Sequence, residues 1–243
     1  MTKFNLRNLS KDQKNSRRRI IEVSHKLNVS HLGSCLSSVD LIDAVYQVKS
    51  KNEKFVLSNG HAGIAWYVIL EKNGFLKSNQ IEKLHIHPDR NPSLGIDVSS
   101  GSLGQGLPIA LGIALSNRKK NVYCMISDGE STEGSIWESL KILQDLKINN
   151  LKILVNVNGW GAYSLISSGD LYKRFKGFGY KVKKVDGHNT TGILKALKAK
   201  DKNNPTIIFA ETRVDQFPFL KGQRAHYYVM SNEDYIQALE LLQ

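Results

Sequence analysis

The sequence predicts an α/β domain built on a parallel sheet with helices on both faces, and three observations carry the prediction. Short strand-like runs at 54–57, 121–126, 151–157, 180–185 and 206–210 alternate with segments of helical periodicity along the whole chain, as parallel strands joined by helical crossovers require. The run 121–126 is apolar almost without interruption, the pattern of a strand buried on both faces. No internal repeat or linker divides the 243 residues, so one domain, 1–243, is expected.

The elements follow in order. Residues 12–27 predict a basic helix with Ile20, Val23 and Leu27 on one stripe. A polar, turn-like segment at 30–34 separates it from a second helix, which is expected to begin at Ser37 or Ser38, either able to cap, and to carry Leu41, Ile42, Val45 and Val48 up to residue 49. The strand 54–57 leads through Ser58, Asn59, Gly60 and His61 into a helix that stops at Asn73-Gly74. Residues 85–103 are irregular and rich in Gly, Pro and Ser, a loop too long to be mere connection. Helices are predicted at 104–117, 133–146, 170–178, 190–199 and 232–242, each interleaved with a strand except the last.

Composition narrows the function. Lys and Arg number 34 against 22 Asp and Glu, a formal charge of +12. Only Arg17, Arg18 and Arg19 are contiguous and no aromatic-basic interleaving or zinc-finger spacing accompanies them, so nucleic acid is not the expected partner. A basic surface equally attracts anionic small molecules or an acidic partner subunit. No run approaches the roughly 18 to 20 apolar residues of a membrane span. The segment 1–19 is polar and lacks a signal-peptide core, so a cytoplasmic location is expected. Cys35 and Cys124 stand far apart in apolar or small-residue settings and are expected to be buried thiols.

In an open parallel sheet, ligands bind beyond the carboxyl ends of the strands. There the sequence places Ser127-Asp128-Gly129-Glu130-Ser131-Thr132-Glu133-Gly134 after one strand and Asn158-Gly159-Trp160-Gly161 after the next. Asp128 and Asn158 offer two hard oxygen ligands, as a magnesium ion holding phosphates requires. Gly129 permits close backbone approach to a diphosphate, whose charge a helix N-terminus favours. The ordinary alternative is that Asp128 caps a helix and Asn158-Gly159 is a turn.

The stretch SDGESTEG, with an Asn thirty positions beyond its Asp, resembles the thiamine diphosphate motif in its transketolase form, a GDG and a downstream Asn. Four further segments occur in the transketolase order. Ser30-His31-Leu32-Gly33 is similar to that family's GHPG and 57–61 to its LSNGH, while His87-Pro88-Asp89 is similar to its HPE and 100–106 to its TGPLGQG. Together they cover residues 30–160, whereas 161–243 match only in helix-strand rhythm and at His226.

The resemblance implies a thiamine-diphosphate-binding fold and a set of site residues. Asp128, Asn158 and the Trp160 carbonyl would bind Mg2+ (or Ca2+). His61, Gly101, Leu103, Gly129 and Glu130 would join them in holding thiamine diphosphate, with His61 at the diphosphate and Gly101 and Leu103 offering backbone groups to the aminopyrimidine. Glu133 would lie near a subunit interface, and His31, His87 and His226 would face the reacting sugar. His25, His85 and His188 are read as structural. Ser127, Ser30, Leu32 and Ser102 depart from the family pattern, which puts the substrate in doubt more than the cofactor.

The family's pyrimidine-binding domain has no counterpart in the sequence. The implied protein is the N-terminal subunit of a split transketolase, inactive alone. Its partner would be a C-terminal transketolase-like subunit, in a heterotetramer of two plus two, and it would transfer a two-carbon ketol unit from a ketose to an aldehyde on a sugar or sugar-phosphate substrate. Two alternatives stay open. One is another thiamine diphosphate reaction, such as 2-oxo-acid decarboxylation or deoxysugar synthesis. The other is a degenerate, non-catalytic binding partner.

Overall fold

The computed structural model describes residues 4–243; residues 1–3, the start of the polar stretch read as lacking a signal-peptide core, lie outside the described residues. In chain order the elements are α1 (Lys11–Leu27), α2 (Leu32–Val48), β1 (Lys54–Leu57), α3 (Gly63–Lys72), α4 (Gly106–Ser116), β2 (Val122–Ser127) and α5 (Gly134–Asp145). They continue as β3 (Leu151–Val157), α6 (Ser168–Gly177), β4 (Val182–Asp186), α7 (Thr190–Leu197), β5 (Thr206–Glu211) and α8 (Asn232–Leu241). The five strands form one sheet in the order β1-β2-β3-β5-β4, and every neighbouring pair is parallel. The predicted fold class is the observed one.

Side-chain alternation divides the interior into two layers. Cys124 and Ile126 of β2, Ile153 and Val155 of β3 and Phe209 of β5 pack against α4, α5 and α6. Tyr123, Met125, Leu154 and Ile208 face the other way, toward α1, α2, α3, α7 and α8. Cys35 and Cys124 are buried and unpaired. Among the described residues no helix is long and apolar enough to cross a membrane.

The start of α2 differs from expectation. The helix begins at Leu32, so 32–34 form its first turn rather than a loop, and Ser37 and Ser38 lie inside it instead of capping it. Their hydroxyls have tertiary work. The Asn156 amide, buried on β3, donates to Ser37 Oγ at 3.0 Å and to Ser38 Oγ at 2.9 Å, while Thr212 Oγ1 donates to its carbonyl. The N-terminus is set by His31, in the left-handed region at φ 68° with no side-chain cap, whose N–H donates to the His226 carbonyl at 3.0 Å. A smaller difference concerns 85–103, which stays irregular as predicted but carries a short 3-10 turn at Pro92–Leu94.

Candidate functional site

The carboxyl ends of β1, β2 and β3 bring the five motif segments together. Asp128 follows β2 and is almost fully buried. Its Oδ1 accepts from the Gly129 N–H at 2.9 Å and its Oδ2 from the Gly159 N–H at 2.6 Å, which ties the β2 loop to the β3 loop. No lysine or arginine pairs with it among the described residues, and burial pushes its carboxyl up to about 7 despite those donors. Asn158 Oδ1 accepts from the Trp160 N–H at 2.9 Å, an Asx turn that leaves the oxygen a second lone pair. A Cβ on Gly129 would stand 3.1 Å from Gly161 Cα and 3.8 Å from the Trp160 carbonyl oxygen, so the glycine is there for close approach of two backbones. The helix expected directly after this loop is preceded by a 3-10 turn, Glu130–Thr132.

Glu130 is wholly buried behind the loop. Its Oε1 accepts from Ser58 Oγ at 2.5 Å and from the Gly104 N–H at 2.8 Å, joining the β1, α4 and β2 loops at one carboxyl. Ser127, standing where the family motif has glycine, accepts from the Glu130 N–H through Oγ at 3.0 Å. Loops 57–61 and 100–106 are in contact, since a Cβ on Gly60 would meet the Gly101 nitrogen at 2.6 Å. Gly101 itself lies against the His87 ring, with φ +139° and a notional Cβ 2.9 Å from it. Leu103 is half-buried on the same loop, and Glu133 is exposed at the start of α5, beside Gly104.

Four histidines gather over this floor. The His31 ring centroid lies 4.6 Å from that of His226, 5.7 Å from His61 and 5.9 Å from His87, and His61 is 5.1 Å from His226. Burial, then repulsion among the rings, lowers His31 to about 4 and His61 to about 3, while burial lowers His226. All three are therefore neutral near pH 7. His226 arrives from a 3-10 turn, Gly222–His226, that rests on α2 where Gly33 offers no side chain. The three histidines read as structural lie apart: His25 stacks on Tyr235, His85 pairs with Asp89, and His188 bonds Asp40.

Sequence reasoning passed over the side chains of Asn59, Ser58 and Ser100, although each sits inside a quoted motif. Among the described residues the buried polar atoms lacking a partner are concentrated here: His31 Nδ1, both amide atoms of Asn59, Ser100 Oγ and Glu130 Oε2, with Ser24 and Asn150 elsewhere. Buried polar atoms are normally satisfied, so this concentration marks a place where a ligand or water completes the structure. A recess of about 540 Å³ lined by Leu27, Val29, Leu84 and His87 lies at the His87 side of the cluster. A larger cavity of about 960 Å³, between residues 4–13 and the loops after β4 and β5, contains none of the motif residues.

Comparison with known proteins agrees with this geometry. Residues 14–237 match the family model described as transketolase, thiamine diphosphate binding domain. Human transketolase is 33% identical over 217 residues, covering 79% of this chain and 35% of the relative, so the chain spans about a third of the length of that enzyme. The 6-deoxy-6-sulfo-D-fructose transketolase subunit SqwG of Clostridium sp. (strain MSTE9) is 30% identical over 238 residues, covering 87% of this chain and 84% of the relative. The crystal structure of Campylobacter jejuni transketolase superposes with a TM-score of 0.83 over 96% of this chain and 42% of that one, at 24% identity. Fold, motif geometry and sequence similarity together place the chain in the transketolase family, as a member of its thiamine diphosphate-binding domain.

Proposed function

We propose that this chain is the cofactor-binding subunit of a two-component transketolase, moving a two-carbon ketol unit from a ketose to an aldehyde with thiamine diphosphate and a divalent cation. The observation that carries the reading is the set of unpartnered buried atoms from His31, Asn59, Ser100 and Glu130 on the motif segments, together with a buried Asp128 that no cation of the described residues neutralises. The residues fit the absent groups. Asp128, the Asn158 amide oxygen and the Trp160 carbonyl form an all-oxygen donor set suited to a hard cation, Mg2+ or Ca2+. Gly129, Gly101, Leu103, Glu130 and His61 line the space for the organic cofactor. When bound, thiamine diphosphate supplies the carbon nucleophile and electron sink for carbon-carbon cleavage. The chain's own residues bind, orient and move protons. His31, His87 and His226 face the sugar, where neutral imidazoles donate and accept hydrogen bonds at its hydroxyls.

A partner subunit is part of the proposal. SqwG is by its name a subunit, and the similarity spans most of its length. Glu133, exposed beside the Gly104 loop, is the residue proposed to meet a C-terminal transketolase-like chain carrying the pyrimidine-binding domain, in a two-plus-two assembly. A sugar or sugar phosphate is the proposed substrate class, Ser30, Leu32 and Ser102 altering the wall that faces it. Two buried, unpaired thiols accord with a cytoplasmic setting.

Calorimetric titration of thiamine diphosphate with magnesium, into the chain alone and into its mixture with the C-terminal transketolase-like subunit, tests the reading. Binding is expected in the mixture only. Asp128→Ala should abolish it, and unchanged affinity in that variant would sink the metal assignment. His31→Ala should lower turnover while sparing cofactor affinity.

A further inference from the structure

The positive charge of the chain is concentrated away from the candidate site. Between residues 173 and 202 stand ten lysines and arginines but only Asp186 and Asp201, a net charge of +8 against +12 for all 243 residues. All ten cations are exposed. They surround β4, which ends the sheet: β5 lies on one side of it, and among the described residues nothing hydrogen-bonds its outer edge. Val182 packs into the core layer shared with α6 and Val185 into the layer shared with α7, so alternation sends Lys184 to the α6 face and Lys183 to the α7 face. Lys173, Lys181 and Lys184 are paired with Asp170, Asp201 and Glu211, whereas Lys176, Lys183, Lys195, Lys198, Lys200 and Lys202 make no ion pair among the described residues.

A second observation reports the same field from inside. Lys152, buried near the start of β3, donates to the Ala199 carbonyl and to Thr206 Oγ1 and has no carboxylate partner among the described residues. Burial, with repulsion from Lys200 and Lys183, brings its ammonium down to about 8.

We propose that the open edge of β4 and its flanking lysines form a docking surface for an acidic, extended segment of another polypeptide, which adds to the sheet as a sixth strand. An unpaired edge offers main-chain hydrogen bonds that only a polypeptide strand can use, while cations on both faces select acidic side chains on both faces of that strand. Neutral or basic strands meet unpaired ammonium groups and are refused, which makes the edge selective rather than generally adhesive. Nucleic acid is the poorer fit, because it cannot use the strand edge and the cations here are lysines with a single arginine, Arg174.

The test uses the full chain and a short synthetic peptide rich in Glu and Thr, with acidic side chains on both strand faces. Fluorescence anisotropy should show saturable binding that weakens by about tenfold or more on raising salt. Amide exchange should show new protection at 182–186. A peptide of the same charge interrupted by prolines should bind at least about tenfold more weakly, since proline cannot complete a ladder. Lys183→Glu, which breaks no ion pair among the described residues, should weaken binding severalfold without changing the melting temperature, and Lys195→Glu with Lys198→Glu provides a second disruption outside the strand. Equal binding of the proline-interrupted peptide, or tighter binding of a single-stranded oligonucleotide of equal charge, would reduce the surface to unspecific anion attraction and overturn the proposal. No peptide binding at low salt would mean that the lysines only guard the edge.

Discussion

His31 shows how one residue carries conformation and electrostatics together. It holds φ 68° at the head of α2, and its ring lies among three other imidazoles with Nδ1 buried and unpartnered. Its folded pKa, about 4, lies below the ordinary 6.5, and His61 falls further, to about 3. At these two rings the unfolded chain binds more protons than the folded one below pH 6.5, so their contribution lowers stability as pH drops toward 4, opposite in sign to that of the buried Asp128 carboxyl, raised to about 7. Chemical denaturation of the wild type and of His61→Gln across that window should show the variant losing less stability, or gaining more, as pH falls; an identical pH dependence in the two would contradict the cluster's role. That the Asp128 and Asn158 loops meet was legible from residues alone, because they follow consecutive strands. His31, His61 and His87 were legible through local patterns. His226 was named only through the resemblance and on weaker pattern agreement, since its approach to His31 depends on packing across nearly the whole chain.

At the scale of the element, α2 and the 222–226 turn form one device. A Cβ on Gly33 would stand 2.9 Å from Ala225 Cβ and 3.0 Å from the Ala225 carbonyl oxygen, too close for either to stay. Gly33→Ala should therefore push the turn off the helix, destabilise the chain by about 1–3 kcal/mol and move the His226 ring. Thermal melting reads the first effect and imidazole NMR shifts the second. An unmoved His226 resonance would mean that the turn is held elsewhere. Helical periodicity revealed α2 but not its start. Ser37 and Ser38 have the chemistry of caps, and only the sheet shows that Asn156 claims their hydroxyls. Strands β2, β3 and β5 were legible because burial on two faces leaves near-continuous apolar runs, whereas β4, with its lysines, was placed by the alternation of elements; the strand order was not legible, since a parallel register depends on long-range pairing.

Across the whole molecule, the layer opposite α4, α5 and α6 is fastened by a buried ion pair. Arg17 of α1 donates to Asp40 of α2 at 2.6 and 3.0 Å, and its Nε donates to Gln216, which follows β5. His188, between β4 and α7, accepts from the Arg213 N–H at Nε2, so Nδ1 carries the proton that it donates to Asp40 at 2.8 Å. Four segments remote in sequence thus meet around one ion pair, whose carboxylate the Arg17 guanidinium holds well below the usual range despite burial. Asp40→Ala leaves that guanidinium buried and unpaired, at a cost of about 3–5 kcal/mol. Removing both charges, as Arg17→Met with Asp40→Leu, should return only part of the loss. Many buried pairs are replaceable by apolar side chains, but here the His188 Nδ1–H and the Gln216 carbonyl would each lose a partner, at about 1–3 kcal/mol per group. Urea unfolding of the wild type, the single variant and the double variant settles the comparison. Full recovery in the double variant would show that His188 and Gln216 find other partners and that the pair, not the four-way network, holds this layer together.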